Sequence, residues 1–413
     1  GMYSQFEKNL NIDLSYPVDV GLASDLNIAG GFEWRDEEFE IGIGDEASYT
    51  VGPLADQGFS AASNGFPGFG PLAQGDWSRS NIAAYIDVEA DVTDNWLLAG
   101  AMRWEDFDDF GTTTNFKIAT HFQATDWLGL RGTYSTGFRA PTPGQSNAYN
   151  VSTEFNLATG DLENNGTIPS NTAVAGLRGG KALDPEESTN YTFGGIFQFG
   201  DFSVTVDYFN IELTDRLGVS QNFELTQSEI DALIEAGVAG ANSLSTFRFF
   251  TNGIETETDG IDVVATYSMD SRIGVTDFNL AYNRTNTEVT KADPSIIDDT
   301  RITELEDALP ETRWNLSASH TMDNWRFMAR YSYFDDWYDS EDVETYSGYG
   351  LFDAEVGYTF DMGVSLIVGA NNLTDETPDE NRNAAAGVGN QYSQWSPGGF
   401  NGQFVYTRLI YDF

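Results

Sequence analysis

The residues from Trp325 to Phe334 read WRFMARYSYF, those from Gly350 to Phe360 read GLFDAEVGYTF, and together they decide the fold. In the first segment Trp325, Phe327, Ala329, Tyr331 and Tyr333 alternate with Arg326, Met328, Arg330 and Ser332. In the second, Phe352, Ala354, Val356, Tyr358 and Phe360 alternate with Asp353, Glu355, Gly357 and Thr359. Successive side chains of a strand point to opposite faces, so each segment predicts a strand with one apolar and one polar face. The pattern continues through Val364, Leu366, Val368 and Ala370. It is present earlier too, where Ile82, Ala84, Ile86, Val88 and Ala90 alternate with Asn81, Tyr85, Asp87 and Glu89. A soluble sandwich has the same alternation, so the connections must discriminate.

Some connections are tight: Asp94-Asn95, Gly200-Asp201, Asp323-Asn324 and Asp361 to Gly363. Others are long and rich in Gly, Asn, Asp and Pro: Gly42 to Ser80, Pro141 to Glu187, Asp215 to Thr246, Lys291 to Pro310 and Thr377 to Gly399. Short and long connections largely alternate, which is the asymmetry of a transmembrane barrel with short periplasmic turns and long external loops. Trp96, Trp127 and Trp325 sit beside short turns, while Trp34, Trp104 and Trp337 sit toward long-loop ends. Two aromatic levels are what interfacial girdles produce. Counting back from a last strand at Asn401 to Phe413 gives roughly fifteen strands of spanning length. Single-chain bacterial barrels have even strand numbers, so the expectation is that the chain lacks its beginning, with a naturally shortened barrel as the alternative.

Composition narrows the function. The 413 residues include 42 Gly, 14% aromatics and no Cys, which removes disulfides, thiolate metal sites and cysteine nucleophiles. A net charge of -45 argues against nucleic-acid binding, which needs the opposite sign. It reads as a solvated acidic surface, with cation attraction by acidic loops as the sharper alternative. No stretch reaches the ~18 apolar residues of a membrane helix, which leaves membrane strands open. No secretory signal opens the chain, and Gly1 before Met2 has the pattern of a cleavage scar or cloning junction. Thr226 to Val238 breaks the strand pattern: a Thr N-cap, early acidic residues and apolar Ile230, Leu233 and Ile234 predict a short amphipathic packing helix.

Several motifs carry a family resemblance. Trp104 to Lys117 reads WEDFDDFGTTTNFK, and Tyr134 to Gly144 reads YSTGFRAPTPG with the core Gly137, Phe138, Arg139, Ala140, Pro141 and Thr142. LDPEESTNY (Leu183 to Tyr191), DYFNIELTD (Asp207 to Asp215), DGIDV (Asp259 to Val263) and NNLTD (Asn371 to Asp375) follow in order, and Ser396 to Phe413 forms a final strand with a terminal Phe. Together these resemble TonB-dependent receptors, the active-uptake transporters of Gram-negative outer membranes, from about Asn81 onward. The resemblance implies one barrel domain over residues 1–413, all-β and antiparallel, as part of a barrel of about 22 strands. It implies a plug domain and TonB-contacting box that are not found here, so TonB is a partner only if an N-terminal part supplies them. It also implies that Phe413 signals to the barrel-assembly machinery, with Tyr411 and Leu409 on the same face, and that outer-membrane lipid surrounds the barrel.

The remaining candidates are weaker. Pro141 cannot donate to a ladder and belongs at a strand end, so the GFRAPT segment reads as loop fixing, with ligand contact by Arg139 as the alternative. Glu105, Asp106, Asp108 and Asp109 cluster on a hairpin tip, and Asp335, Asp336 and Asp339 cluster near Trp337 and Tyr338. Neither has an EF-hand register, and both read as solvated tips rather than metal sites. Asp259 and Asp262 read as lumen or strand-end residues. His121 and His320, the only histidines, sit in no lipase-like pattern and give no argument for haem or zinc. Asn283-Arg284-Thr285 fits a sequon that means little in a bacterial protein. No catalytic residue, cofactor or metal is expected. The expected function is energised uptake of a scarce nutrient: an iron-siderophore, haem, cobalamin or an oligosaccharide. The alternatives are a passive porin-type channel and a soluble carbohydrate-binding β-protein; an apolar outer belt would count against the latter. Open strand edges would template aggregation, so the chain is expected to be unstable in plain buffer unless further strands are supplied.

Overall fold

A computed structural model describes residues 1–50, 52–53, 68–71, 73–147, 149–156, 161–235, 245–383 and 389–411. Fifteen strands form one sheet in which spatial order follows chain order. They are β1 (Met2–Val18), β2 (Leu26–Gly42), β3 (Gly75–Thr93), β4 (Trp96–Phe107) and β5 (Gly111–Thr125). Then come β6 (Leu128–Arg139), β7 (Glu186–Phe199), β8 (Phe202–Val219), β9 (Phe250–Ser271) and β10 (Gly274–Ala292). The last are β11 (Thr312–Met322), β12 (Trp325–Phe334), β13 (Tyr349–Thr359), β14 (Val364–Asn371) and β15 (Phe404–Tyr411). All neighbours in this sheet pair antiparallel, and β1 and β15 each have one paired neighbour among the described residues. The expected strand count and antiparallel architecture are therefore met, in an open sheet.

Two adjacent rows of side chains show why this sequence makes this sheet. Phe197, Val204, Ala265, Leu280, Leu316, Tyr331 and Phe352 stand opposite one another across β7 to β13. One residue along, Gln198, Ser203, Thr266, Asn279, Ser317, Arg330 and Asp353 form the neighbouring row on the other face. Register thus keeps like with like, and a one-residue slip in any strand would exchange the two chemistries. The apolar face is uncovered: Phe193 is 63% exposed and Ile118 59%. A continuous apolar face of this extent needs a partner or lipid, which argues against the soluble reading.

Ion pairs bind the polar face across strands. Arg330 Nη2 lies 2.6 Å from Asp353, Arg326 pairs with Glu355, and Tyr406 Oη donates to Glu355 at 2.8 Å, tying β12, β13 and β15 together. Arg103 bridges Glu33 and Glu105, each at 2.8 Å, across β2 and β4. Asp353 and Glu355 are buried, and a buried carboxylate without its cation would be strongly destabilising.

The connections alternate by parity. Residues 19–25, 94–95, 126–127, 200–201, 272–273, 323–324 and 360–363 join strands at one rim. Residues 43–74, 108–110, 140–185, 220–249, 293–311, 335–348 and 372–403 join them at the other. Gly200 (φ 61°) and Asp323 (φ 49°) take the left-handed conformation that the tightest turns require, Gly at no steric cost and Asp at a tolerable one. Trp96, Trp127 and Trp325 border the tight-turn rim as expected. Trp337 does not belong to the other aromatic level. It is 1% exposed and stacked on Tyr346, inside a loop cluster. On the apolar face near that rim stands Trp314, 5.4 Å from the ring of Tyr331.

Candidate functional site

The long-loop rim is structured. Phe223–Glu224, Thr246–Arg248, Asp161–Thr167 and Asn150–Asn156 form a second, four-stranded sheet, in which Thr246–Arg248 runs parallel to Asp161–Thr167. Phe223 and Phe247 of this sheet pack with Phe249, Ile168, Val174, Ile254, Ile296 and Ile297. The ring planes of Phe223 and Phe249 lie 14° apart at 5.7 Å. Ile254 reaches this core from the polar face of β9, the facing it shares with Thr256; the extra residue of the bulge opposite Glu255 and Thr256 is Thr290 of β10. The loops after β6, β8 and β10 therefore share one apolar core and form a single loop body.

The predicted helix is present as Gln227–Glu235, and residues 236–238 lie outside the described residues. Thr226 and Glu229 cap it reciprocally: Glu229 N donates to Thr226 Oγ1 at 3.3 Å and Thr226 N to Glu229 Oε2 at 2.8 Å. Arg178 donates to Glu229 from Nη1 at 2.8 Å and to the Glu224 carbonyl at 3.1 Å, joining this helix to the preceding loop. The Arg178 guanidinium, with the Thr226 bonds, holds the Glu229 carboxyl at about 2, well below its ordinary 4.5. A second helix, Asp299–Asp307, was not foreseen. Asp298 caps it by accepting from Arg301 N at 2.9 Å, and Ile302 and Leu305 pack on the loop core. The Asp298 cap and the Ile302–Leu305 spacing are the signals that could have revealed it.

The GFRAPT segment lies where β6 leaves the sheet. Gly137 faces β7 so closely that an added Cβ would stand 2.8 Å from Ser188 Oγ. Phe138 packs edge-on against Phe107 at 5.6 Å. Arg139 Nε lies 2.7 Å from Glu186 Oε1, and the other oxygen of Glu186 accepts from Leu217 N at 2.9 Å. Ala140 is half-buried, and the buried Pro141 presents its carbonyl to Arg79 Nη1 at 2.6 Å. Thr142 exchanges bonds with Gln145: its N donates to Gln145 Oε1 at 2.9 Å and its Oγ1 accepts from Gln145 N at 3.1 Å. Sequence reasoning missed Arg79 and its partner Glu37, since nothing in WSRSN (Trp77 to Asn81) marks the arginine as buried.

The acidic clusters dissolve into separate bonds. Glu105 pairs with Arg103, Asp108 Oδ2 accepts from Ser80 N at 3.1 Å and Ser80 Oγ at 2.9 Å, and Asp109 lies 4.0 Å from Arg79. Burial raises the Asp109 carboxyl above its ordinary value, with Arg79 opposing. Asp106 stays in β4, opposite Ile82 and Thr112. Asp339 is buried and accepts from Ser393 Oγ at 2.6 Å, whereas Asp335 only receives Tyr333 Oη at 3.4 Å and Asp336 lies beside it in the loop. Asp262 accepts from Asn283 Nδ2 at 2.8 Å, and Asp259 faces Asn210 and Asn286 across the strands. Among the described residues no group of three or more Asp, Glu or His side chains is arranged to hold a metal ion. His320 Nδ1 bonds Thr276 Oγ1 at 2.8 Å on one strand pair, while His121 faces Leu97 and Arg131 on another. Phe413 lies outside the described residues.

Known proteins share this architecture. The family model described as TonB dependent receptor-like, beta-barrel matches residues 2–373. The vitamin B12 transporter BtuB of Vibrio cholerae is 24% identical over 228 residues, a stretch covering 54% of this chain and 28% of that protein. The siderophore receptor PirA from Acinetobacter baumannii superposes with a TM-score of 0.65 at 16% identity, over 100% of this chain and 55% of that one. The ferric enterobactin receptor PfeA from Pseudomonas aeruginosa superposes at 0.66 with 14% identity, over 100% and 54%. The chain thus spans about half the length of the solved receptors it matches. With an antiparallel sheet of this architecture and a family model matching residues 2–373, the chain belongs to the TonB-dependent receptor β-barrel family, whose members are outer-membrane proteins.

Proposed function

We propose that this chain forms the wall and external loops of a bacterial outer-membrane receptor that takes up a scarce nutrient with energy delivered through TonB. The observation that carries this reading is the packed loop body at one rim of a sheet with a lipid-compatible face, in a chain of this family. A passive pore needs no such body. The loops would capture the ligand, and the polar face, rich in crossed ion pairs, would line its path. The relatives are named for vitamin B12, a siderophore and ferric enterobactin, so corrinoids and iron chelates are the first ligands to test. In this reading GFRAPT fixes the loop after β6 instead of touching ligand, Phe413 addresses the chain to the barrel-assembly machinery, and the protein is not an enzyme.

The test is uptake of radiolabelled cobalamin and of ferric siderophores by cells making the gene product that carries this chain, with and without a protonophore. Accumulation that stops with the protonophore is the expected result. Energy-independent permeation of small solutes of many kinds would overturn the reading in favour of a pore.

A further inference from the structure

The connection between β4 and β5, residues 108–110, is the one short connection at the loop-bearing rim, so the wall is low there. The chain leaving β6 crosses this gap. Its Pro141 carbonyl is taken by Arg79 of β3, the strand just beyond the hairpin, at 2.6 Å. Arg79 is 4% exposed; its Nε donates to Glu37 Oε2 of β2 at 3.0 Å, and Glu37 is itself buried. The guanidinium also lies over the Phe107 ring, 5.4 Å from its centre, and Phe138 packs edge-on against both Phe107 and Phe110. Past the short helix Pro143–Asn147, Tyr149 packs against two apolar cores: the loop body, and the cluster of Ile41, Phe69 and Ala73 at the β2–β3 loop. Burial there pushes its phenol up to about 12.

A desolvated arginine is costly and is kept where its partners need a fixed geometry. Here one partner is a carboxylate and the other a backbone carbonyl on a proline, whose φ is already set. The Thr142–Gln145 exchange stiffens the next turn. We infer that residues 140–147 and Tyr149 form a strap across the low hairpin, with Arg79 as its positioning residue. The strap ties the loop body to the cluster of Ile41, Phe69 and Ala73, so that the two come apart from the rim as one cooperative unit. This goes beyond the uptake reading and holds whatever the ligand is.

Amide hydrogen exchange on the gene product that carries this chain, folded in lipid vesicles, tests it. In the unaltered protein the amides of 144–147 and of 246–249 should show protection within a few-fold of each other, because one opening exposes both. Arg79→Gln should speed exchange at 144–147 at least tenfold, with 246–249 lagging behind and the turns at 200–201 and 323–324 unchanged. Arg79→Lys, which keeps the charge but not the planar fork, should recover part of the loss. Should Arg79→Gln fail to fold, Phe138→Leu loosens the same strap without touching the ion pair and should speed 144–147 severalfold. Unchanged exchange at 144–147 in a folded variant overturns the strap, and protection differing more than tenfold between the two segments of the unaltered protein overturns the single unit.

Discussion

Phe193 on β7 and Phe247 in the loop body are both phenylalanines in an apolar setting, but one is 63% exposed and the other 0%. Phe247 is covered by its own chain, between Phe223 and Phe249. Phe193 is left mostly bare by the described residues, and a partner or lipid must do for it what folding does for Phe247. The loop body thus carries its stability internally, whereas the sheet's apolar face carries a requirement for its surroundings.

The sharpest way to break this contrast is to shrink each ring. Phe247→Ala should cost about 3–5 kcal/mol in the loop body, by lost burial and the cavity left behind, equally in micelles and bilayers. Urea unfolding followed by exchange at 246–249 reads it. Phe193→Ala should cost far less, and a loss as large as that at Phe247 would mean that the sheet face is also internally packed. Phe193→Arg tests the lipid requirement directly. It should destabilise the folded chain by about 2–4 kcal/mol in a bilayer, and less if the side chain lies near an interface. No destabilisation in vesicles would remove the belt.

The smallest effect is electrostatic and confined to the loop body. The Glu229 carboxyl sits at about 2 when folded against 4.5 ordinarily, so it is depressed. Its contribution is therefore fully present above pH 4.5 and is lost as pH falls toward 2. Protection of the Gln227–Glu235 helix, corrected for intrinsic exchange rates, should weaken over that window, and Glu229→Gln should abolish the dependence. The Glu229→Gln substitution should leave the barrel strands unchanged.

The two regions also differed in how well the sequence announced them. Alternation such as Phe352, Ala354, Val356 against Asp353, Glu355 is a local signal, repeated in every strand, and parity of turn lengths orders the strands. The loop body has no such period. Its core joins Ile168, Phe247 and Ile297 across more than a hundred residues, and only the three-dimensional path brings them together. Only its helix at Thr226 was legible, because a capping box is local too. Trp337 misled because an aromatic near a strand end looks alike whether it meets lipid or a buried stack. Arg79 was silent, since burial of a lone arginine depends on Glu37 and Pro141, which lie far away in sequence.

The two interleaved rows, Phe197 beside Gln198 and Tyr331 beside Arg330, have a consequence for heredity. Loss of a single codon inside β12 would turn every side chain beyond it inside out, sending Arg330 toward the lipid and Tyr331 toward the polar face. Loss of two codons would restore the facing and only shorten the strand. Length changes that survive in these strands should therefore come in pairs of residues, or sit at bulges such as the one at Thr290 of β10, where a reversal is already built in. The loop of residues 372–403 is under no such rule of twos, and its genealogy should record insertions of any size.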